Sequence, residues 1–241
     1  MENDKKIAVL IDADNVSDRY IKYIIDEISN HGIPTYKRIY GDWTKPQLAS
    51  WKNVLLNYSI TPIQQYSYTT GKNSTDAALI IDAMDILYSN NVDGFCIVSS
   101  DSDFTKLASR LREAGMYVIG MGEKKTPTPF ISACEQFKYL EVLVSMASKP
   151  TETKIIKDEP KVGMTSIDKI IDAIKTIITE ISDEDGWAHL GKLGSTLNKR
   201  YPDFDTRNYG YTKLTPFVSS LNHFKIRSTK TNKYIRNKEF K

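Results

Sequence analysis

The sequence predicts an α/β domain on a parallel sheet, followed by a smaller domain of helices and a strand pair. Short apolar runs at 7–11 and 94–98 are rich in Ile, Val and Phe and bounded by turn residues, as in strands buried on both faces of a parallel sheet. These runs alternate with amphipathic stretches of helical length, the signature of βαβ crossovers. After residue 147 the alternation stops.

In chain order, strands are expected at 7–11, 34–40, 60–64, 94–98 and 116–120, with helices at about 16–30, 45–57, 75–89 and 103–114. Gly32 and Pro34 close the first helix, and Gly115 stands at the usual C-terminal glycine position of the fourth. Thr75 is expected to cap the third helix, with Asp76 in its first turn, where the helix dipole favours an anion. The segment 148–164 is polar, holds Pro150 and Pro160, and reads as a linker between domains at 1–147 and 165–241. Beyond it, Ile167, Ile170, Ile171, Ile174, Ile177, Ile178 and Ile181 share one helical face over 167–181. Helices at about 188–200 and 213–222 follow, and FKIRS and KYIRN pair around 229–232. Three helices and a β-ribbon suggest a winged-helix module.

The totals exclude several classes. Hydrophobic residues make up 40% and charged residues 26% of the 241 positions, a globular composition. No stretch approaches the roughly 20 apolar residues that span a bilayer. The start, MENDKK, has no apolar signal segment, so a cytoplasmic chain is expected. Cys96 and Cys134 cannot form a disulfide framework and are expected to be reduced, and three scattered His do not suggest a zinc site. The net charge of +3 divides unevenly: residues 1–150 carry 16 Lys and Arg against 18 Asp and Glu, and residues 151–241 carry 17 against 12. The basic half is suited to a polyanion.

Function is expected where the strands end. The first run leads into Asp12 and Asp14, and the fourth, through Ser99 and Ser100, into Asp101 and Asp103. Asp76 opens the helix between them. In open parallel sheets ligands lie beyond the carboxyl ends of the strands. Residues i and i+2 of an extended segment point the same way, so each Asp-x-Asp presents two carboxylates to one site. Clustered acids repel unless a cation neutralises them, and Mg²⁺ or Mn²⁺ is the hard, oxygen-binding choice. Asn15 is expected to cap the first helix and face the site, and Ser99 and Ser100 to hydrogen-bond a carboxylate. Asp82, further round the third helix, is expected to pair with a basic residue or support the site from behind.

IDADN at 11–15, YGDW at 40–43, GKNSTDAALIIDAMDIL at 71–87 and VSSDSDFTKLASRLREAGMYVIGMG at 98–122 resemble the NYN family of PIN-like nucleases. The resemblance implies a PIN-like three-layer α/β sandwich that cleaves RNA with divalent metal, Mg²⁺ or Mn²⁺. Motif on motif, it makes Asp12 the first ligand, Asp76 the second, and Asp101 with Asp103 the third group. It places Asp14 and Lys72 near the site, Lys72 as a contact to phosphate. It leaves open a homodimer through this domain.

Residues 186–226 resemble the LOTUS or OST-HTH domain, most specifically in the FD…RNYGYTKL…F pattern. This implies a winged helix that binds RNA or docks a protein partner. The cations expected to meet RNA are Lys192, Lys199, Arg200, Arg207, Lys213, Lys225 and Arg227. Tyr209, Tyr211 and Tyr234 are available to stack on bases, although Tyr209 and Tyr211 also suit a hydrophobic core. The combined expectation is a metal-dependent ribonuclease with an RNA-recruiting module. The alternatives are a non-catalytic RNA-binding adaptor and a haloacid-dehalogenase-like phosphatase, which LIDADNV resembles. Against the phosphatase, the early first helix leaves no room for that family's flap.

Overall fold

The computed structural model describes residues 4–66, 74–147, 164–229 and 231–239. The chain forms two compact units, Met1–Ser148 and Lys149–Lys241. The expected linker falls almost entirely outside the described residues.

The first unit runs β1 (Lys6–Asp12), α1 (Ile21–Ile28), β2 (Ile33–Gly41), α2 (Lys52–Leu55), β3 (Thr61–Gln64), α3 (Ser74–Ser89), β4 (Gly94–Val98), α4 (Thr105–Glu113), β5 (Tyr117–Gly122), α5 (Thr128–Ala133), β6 (Gln136–Tyr139) and α6 (Leu140–Ala147). All strand pairs are parallel, in the order β3-β2-β1-β4-β5-β6. The chain therefore starts at the centre, moves outward to β3, then returns to the other side of β1. Right-handed crossovers in opposite directions put α1 and α4 on opposite faces of the sheet. One face buries Ile7, Val9 and Ile11 of β1 against Ile21, Ile24 and Ile28 of α1 and Leu140 and Leu143 of α6. On the other, α3 lies across β1 and β2 with Leu79, Ala83 and Ile86 buried. Strands covered on both sides explain runs that are apolar without alternation.

This order has a switch point. The connections leaving β1 and β4 diverge to opposite faces, which opens a crevice beyond the carboxyl ends of these two neighbours. Asp12 ends β1, and Ser99 follows β4 directly.

The first helix begins later than expected. The turn at 13–15 folds back on Asp12, and a 3₁₀ turn at Asp18–Tyr20 precedes α1, so Asn15 caps no helix. The expected helix at 45–57 is instead a 3₁₀ segment, Pro46–Trp51, with only α2 truly α-helical. Ser74 is already helical, so Thr75 is no cap. The short elements α5, β6 and α6 were not expected, as four to eight residues carry too little periodicity to declare themselves.

Close backbone approach fixes the exit of β4. A Cβ on Gly122 would lie 2.5 Å from the Ser99 carbonyl oxygen and 2.5 Å from the Thr126 hydroxyl. Gly122→Ala is therefore expected to lower stability by about 1–3 kcal/mol, measured as a reduced urea midpoint with an unchanged slope.

The second unit runs α7 (Ile167–Ile181), β7 (Ala188–His189), α8 (Leu190–Arg200), α9 (Leu214–Ser220), β8 (Phe224–Ser228) and β9 (Lys233–Asn237). Its antiparallel sheet has the order β7-β9-β8. Ser166 caps α7, and Ile170, Ile174 and Ile177 join Leu193, Leu197, Phe217 and Ile235 in one core. The expected second helix is preceded by β7, two residues recruited by the edge of β9. Among the described residues, no helix is long and apolar enough to cross a membrane.

Candidate metal centre

Three carboxylates converge beyond β1 and β4. Ligand oxygens of Asp76, Asp101 and Asp103 lie within 4.8 Å of one another. Each arrives by a different device. Asp76 sits in the first turn of α3. Asp101 caps the 3₁₀ turn Ser102–Phe104, its Oδ1 accepting the Asp103 N–H at 2.9 Å. Asp103, inside that turn, is carried round to the same point.

Asp12, expected as the first ligand, is not among the three acids whose oxygens meet within 4.8 Å, although its charge acts on Asp76. It is fully buried, and three donors occupy its oxygens: the Asp14 N–H on Oδ1 at 3.0 Å, and Asn15 Nδ2 and Ser99 Oγ on Oδ2, each at 2.7 Å. Burial raises its pKa, and the three hydrogen bonds oppose that rise. Ser99 links the two strand ends, because its Oγ also accepts the Asp101 N–H at 3.1 Å.

The density of charge registers on Asp76. Partial burial, then the charges of Asp12, Asp101, Asp103 and Asp14, push its carboxyl up to about 6. All five acids thus act on one place. The site offers carboxylate oxygens, hard donors that fit Mg²⁺ or Mn²⁺ and do not favour softer ions.

The remaining expectations divide. Asp14 does not share an Asp12 ligand face, because the chain turns at Ala13. It accepts from Thr75 Oγ1 at 3.1 Å and pairs with Lys45 Nζ at 3.4 Å. Ser100 bonds no carboxylate; its Oγ accepts the Glu123 N–H at 2.8 Å and ties the loops after β4 and β5 together. Asp82 is engaged by Arg38 and the Tyr40 hydroxyl at the α3–β2 contact. Lys72 lies outside the described residues. Ser99 bonds a carboxylate as expected, that of Asp12; sequence reasoning did not single out Lys45, or give Thr75 its contact with Asp14, since an isolated Lys or Thr has no pattern to mark it.

In the second unit, Lys192, Lys199, Lys213, Lys225 and Arg227 are exposed. Arg207 is clamped by Asp205 (Nη2–Oδ2 2.7 Å), and Arg200 pairs with Glu180. Tyr209 is a core residue: its ring lies 5.1 Å from Phe217 and its hydroxyl donates to the Thr165 carbonyl at 2.8 Å. Tyr211 packs edge-on against Phe217 at 5.7 Å. Neither ring is presented for stacking on a base, because each is spent on holding α9.

A family model for the NYN domain matches residues 6–141, the whole of the sheet that carries these acids. The chain belongs to the NYN family. It is thereby a member of the PIN-like nuclease superfamily, and its second unit is an OST-HTH/LOTUS domain, matched over residues 165–236, an RNA-binding type of module. Among curated proteins none matches the chain. Among solved structures, a protein of unknown function from Vibrio parahaemolyticus is 20% identical with a TM-score of 0.48, covering 58% of this chain and 94% of its own. An uncharacterized protein from Nitrosomonas europaea is 32% identical with a TM-score of 0.28, covering 37% of this chain and 90% of its own.

Proposed function

We infer that this NYN protein is a divalent-metal-dependent ribonuclease whose LOTUS domain recruits the RNA. The observation that carries this reading is the meeting of Asp76, Asp101 and Asp103 within 4.8 Å at the switch point of the sheet. Asp76, Asp101 and Asp103 would hold Mg²⁺ or Mn²⁺ through carboxylate oxygens. When bound, such an ion supplies positive charge at a scissile phosphate and lowers the pKa of an attacking water.

The chain's own residues do the rest. Asp12 orders the site from behind, through its hydrogen bonds with Asn15, Ser99 and the Asp14 amide. Asp14 and Lys45 pair at the rim and place a cation where the RNA backbone enters. The reaction adds water across a P–O bond, leaving one product with a phosphate end and the other with a hydroxyl end. The reaction requires no His base, and none of the three His falls within the motifs that carry these acids.

The direct test is cleavage of end-labelled RNA by the purified chain with Mn²⁺, with Mg²⁺ and with excess EDTA. Products in the metal lanes and intact RNA in the EDTA lane are expected. Intact RNA in every lane, alongside retention of RNA by the protein, would replace the nuclease with a non-catalytic adaptor.

A further inference from the structure

The antiparallel sheet of the second unit has a core face and an outward face. Ala188, Phe224 and Ile235 are buried in the core. Strand alternation then turns Trp187, His189, Lys225, Arg227, Tyr234 and Arg236 outward. Five of them form a connected ladder of rings and cations, and Lys225 stands opposite Arg236 in register. The Arg227 guanidinium lies 4.5 Å from the Trp187 ring centroid and 5.3 Å from that of Tyr234. That of Arg236 lies 4.8 Å from the Trp187 centroid, and His189 meets Tyr234 edge-on at 5.7 Å.

The ladder is built before any ligand arrives. Gly186, at φ +74°, closes a turn in which Asp183 Oδ1 accepts the Trp187 N–H at 2.6 Å. The Asp183 N–H donates to the Trp187 carbonyl at 3.0 Å, so the indole is set from both sides of its own peptide. Arg236 Nη1 donates to the Asp185 carbonyl at 3.3 Å. The Asp183 carboxylate is thus spent on the turn.

We propose that this outward face of β7-β9-β8 is the surface through which the LOTUS domain holds single-stranded RNA. The proposal rests on the recruitment reading above and gives it a location. A guanidinium stacked on an aromatic ring keeps its N–H edge for phosphate and loses little entropy on binding. Lys225 and Arg227, two residues apart on β8, stand about 6.7 Å apart along the strand, so each can meet a different phosphate. Unpaired bases stack on the exposed planes of the ladder, a mode open to single strands and closed to a duplex, whose bases stack on one another. α8 is the poorer surface, because Arg200 is engaged by Glu180.

The test uses the full chain carrying Asp101→Asn, in EDTA, so that binding is read without cleavage. The probes are a fluorescein-labelled oligouridylate, an RNA duplex of equal length and an oligoaspartate peptide. Oligouridylate is expected to bind best, and Trp187→Ala and Arg227→Lys each to weaken it about tenfold. Arg227→Lys keeps the charge and removes the planar stack, so a purely electrostatic surface would not register it. Lys225→Glu changes an exposed side chain and guards against misfolding; it too should weaken binding. Unchanged affinity in all three variants overturns the proposed surface but leaves recruitment standing if the parent still binds. No binding by the parent at low salt overturns both, and tighter binding of oligoaspartate than of oligouridylate would assign the face to an acidic protein.

Discussion

Asp101→Asn is expected to lower the rate of RNA cleavage at least about 100-fold while leaving the fold in place. Asn caps a helical turn as well as Asp does, and its side-chain oxygen still accepts the Asp103 N–H, so the turn Ser102–Phe104 persists. What goes is one negative charge and one anionic oxygen of the three that converge. Cleavage kinetics alongside a thermal melt separate the effects. A variant that melts like the parent and cuts at the parental rate would remove Asp101 from the metal centre. Asp12→Asn is a poorer test, because its two oxygens accept three hydrogen bonds in a buried setting. An amide in that position puts a donor against donors, and lost activity would mix catalysis with local rearrangement.

Asp76→Asn is expected to stabilise the ion-free protein at neutral pH and to remove its stabilisation by metal. The Asp76 carboxyl titrates near 6 in the fold against 3.8 when unperturbed. The folded state therefore keeps a proton that the unfolded chain has released. Its contribution is fully present below pH 3.8, falls as pH rises through that interval, and is gone above about 6. At neutral pH the ionised Asp76 works against folding. Solvent screening of this half-buried group limits the gain on substitution to about 1 kcal/mol, or about 2–4 °C in Tm. In EDTA the variant should melt above the parent near neutral pH and level with it near pH 4. Divalent ion at 100 times its Kd would raise the parent by about 2.7 kcal/mol and reverse the order. A variant that melts below the parent in EDTA at neutral pH would show that the acids are not in mutual repulsion.

Both experiments depend on features that were unequally legible in the sequence. β1 and β4 are readable because strands buried on both faces have no polar alternation to blur them, and both end in acids that turn chemistry alone does not require. Their parallel pairing follows from the intervening helices. Asp76, Asp101 and Asp103 were readable as a group through their motifs, and their oxygens do meet. The parting of Asp12 from Asp14 was not: residues i and i+2 share a face only while the chain stays extended, and it turns at Ala13. Asp12 and Asp14 therefore part, one inward to Ser99 and Asn15, the other outward to Thr75 and Lys45. In the second unit, cations were readable as a class, but their freedom was not. Arg200 and Arg207 are engaged by Glu180 and Asp205, while Trp187, which no charge pattern marks, lies under two guanidiniums.

Local pattern alone determined the two units, the central strands, the long amphipathic α7 and the acids at the strand ends, because each is written within a few residues by burial and periodicity. The tertiary structure decided which of those acids meet, which donors hold Asp12 and which rings are spent on the core. Such outcomes depend on contacts between residues tens of positions apart, Ser99 with Asp12 and Tyr209 with Thr165 among them, and no local period records a hydrogen bond of that reach.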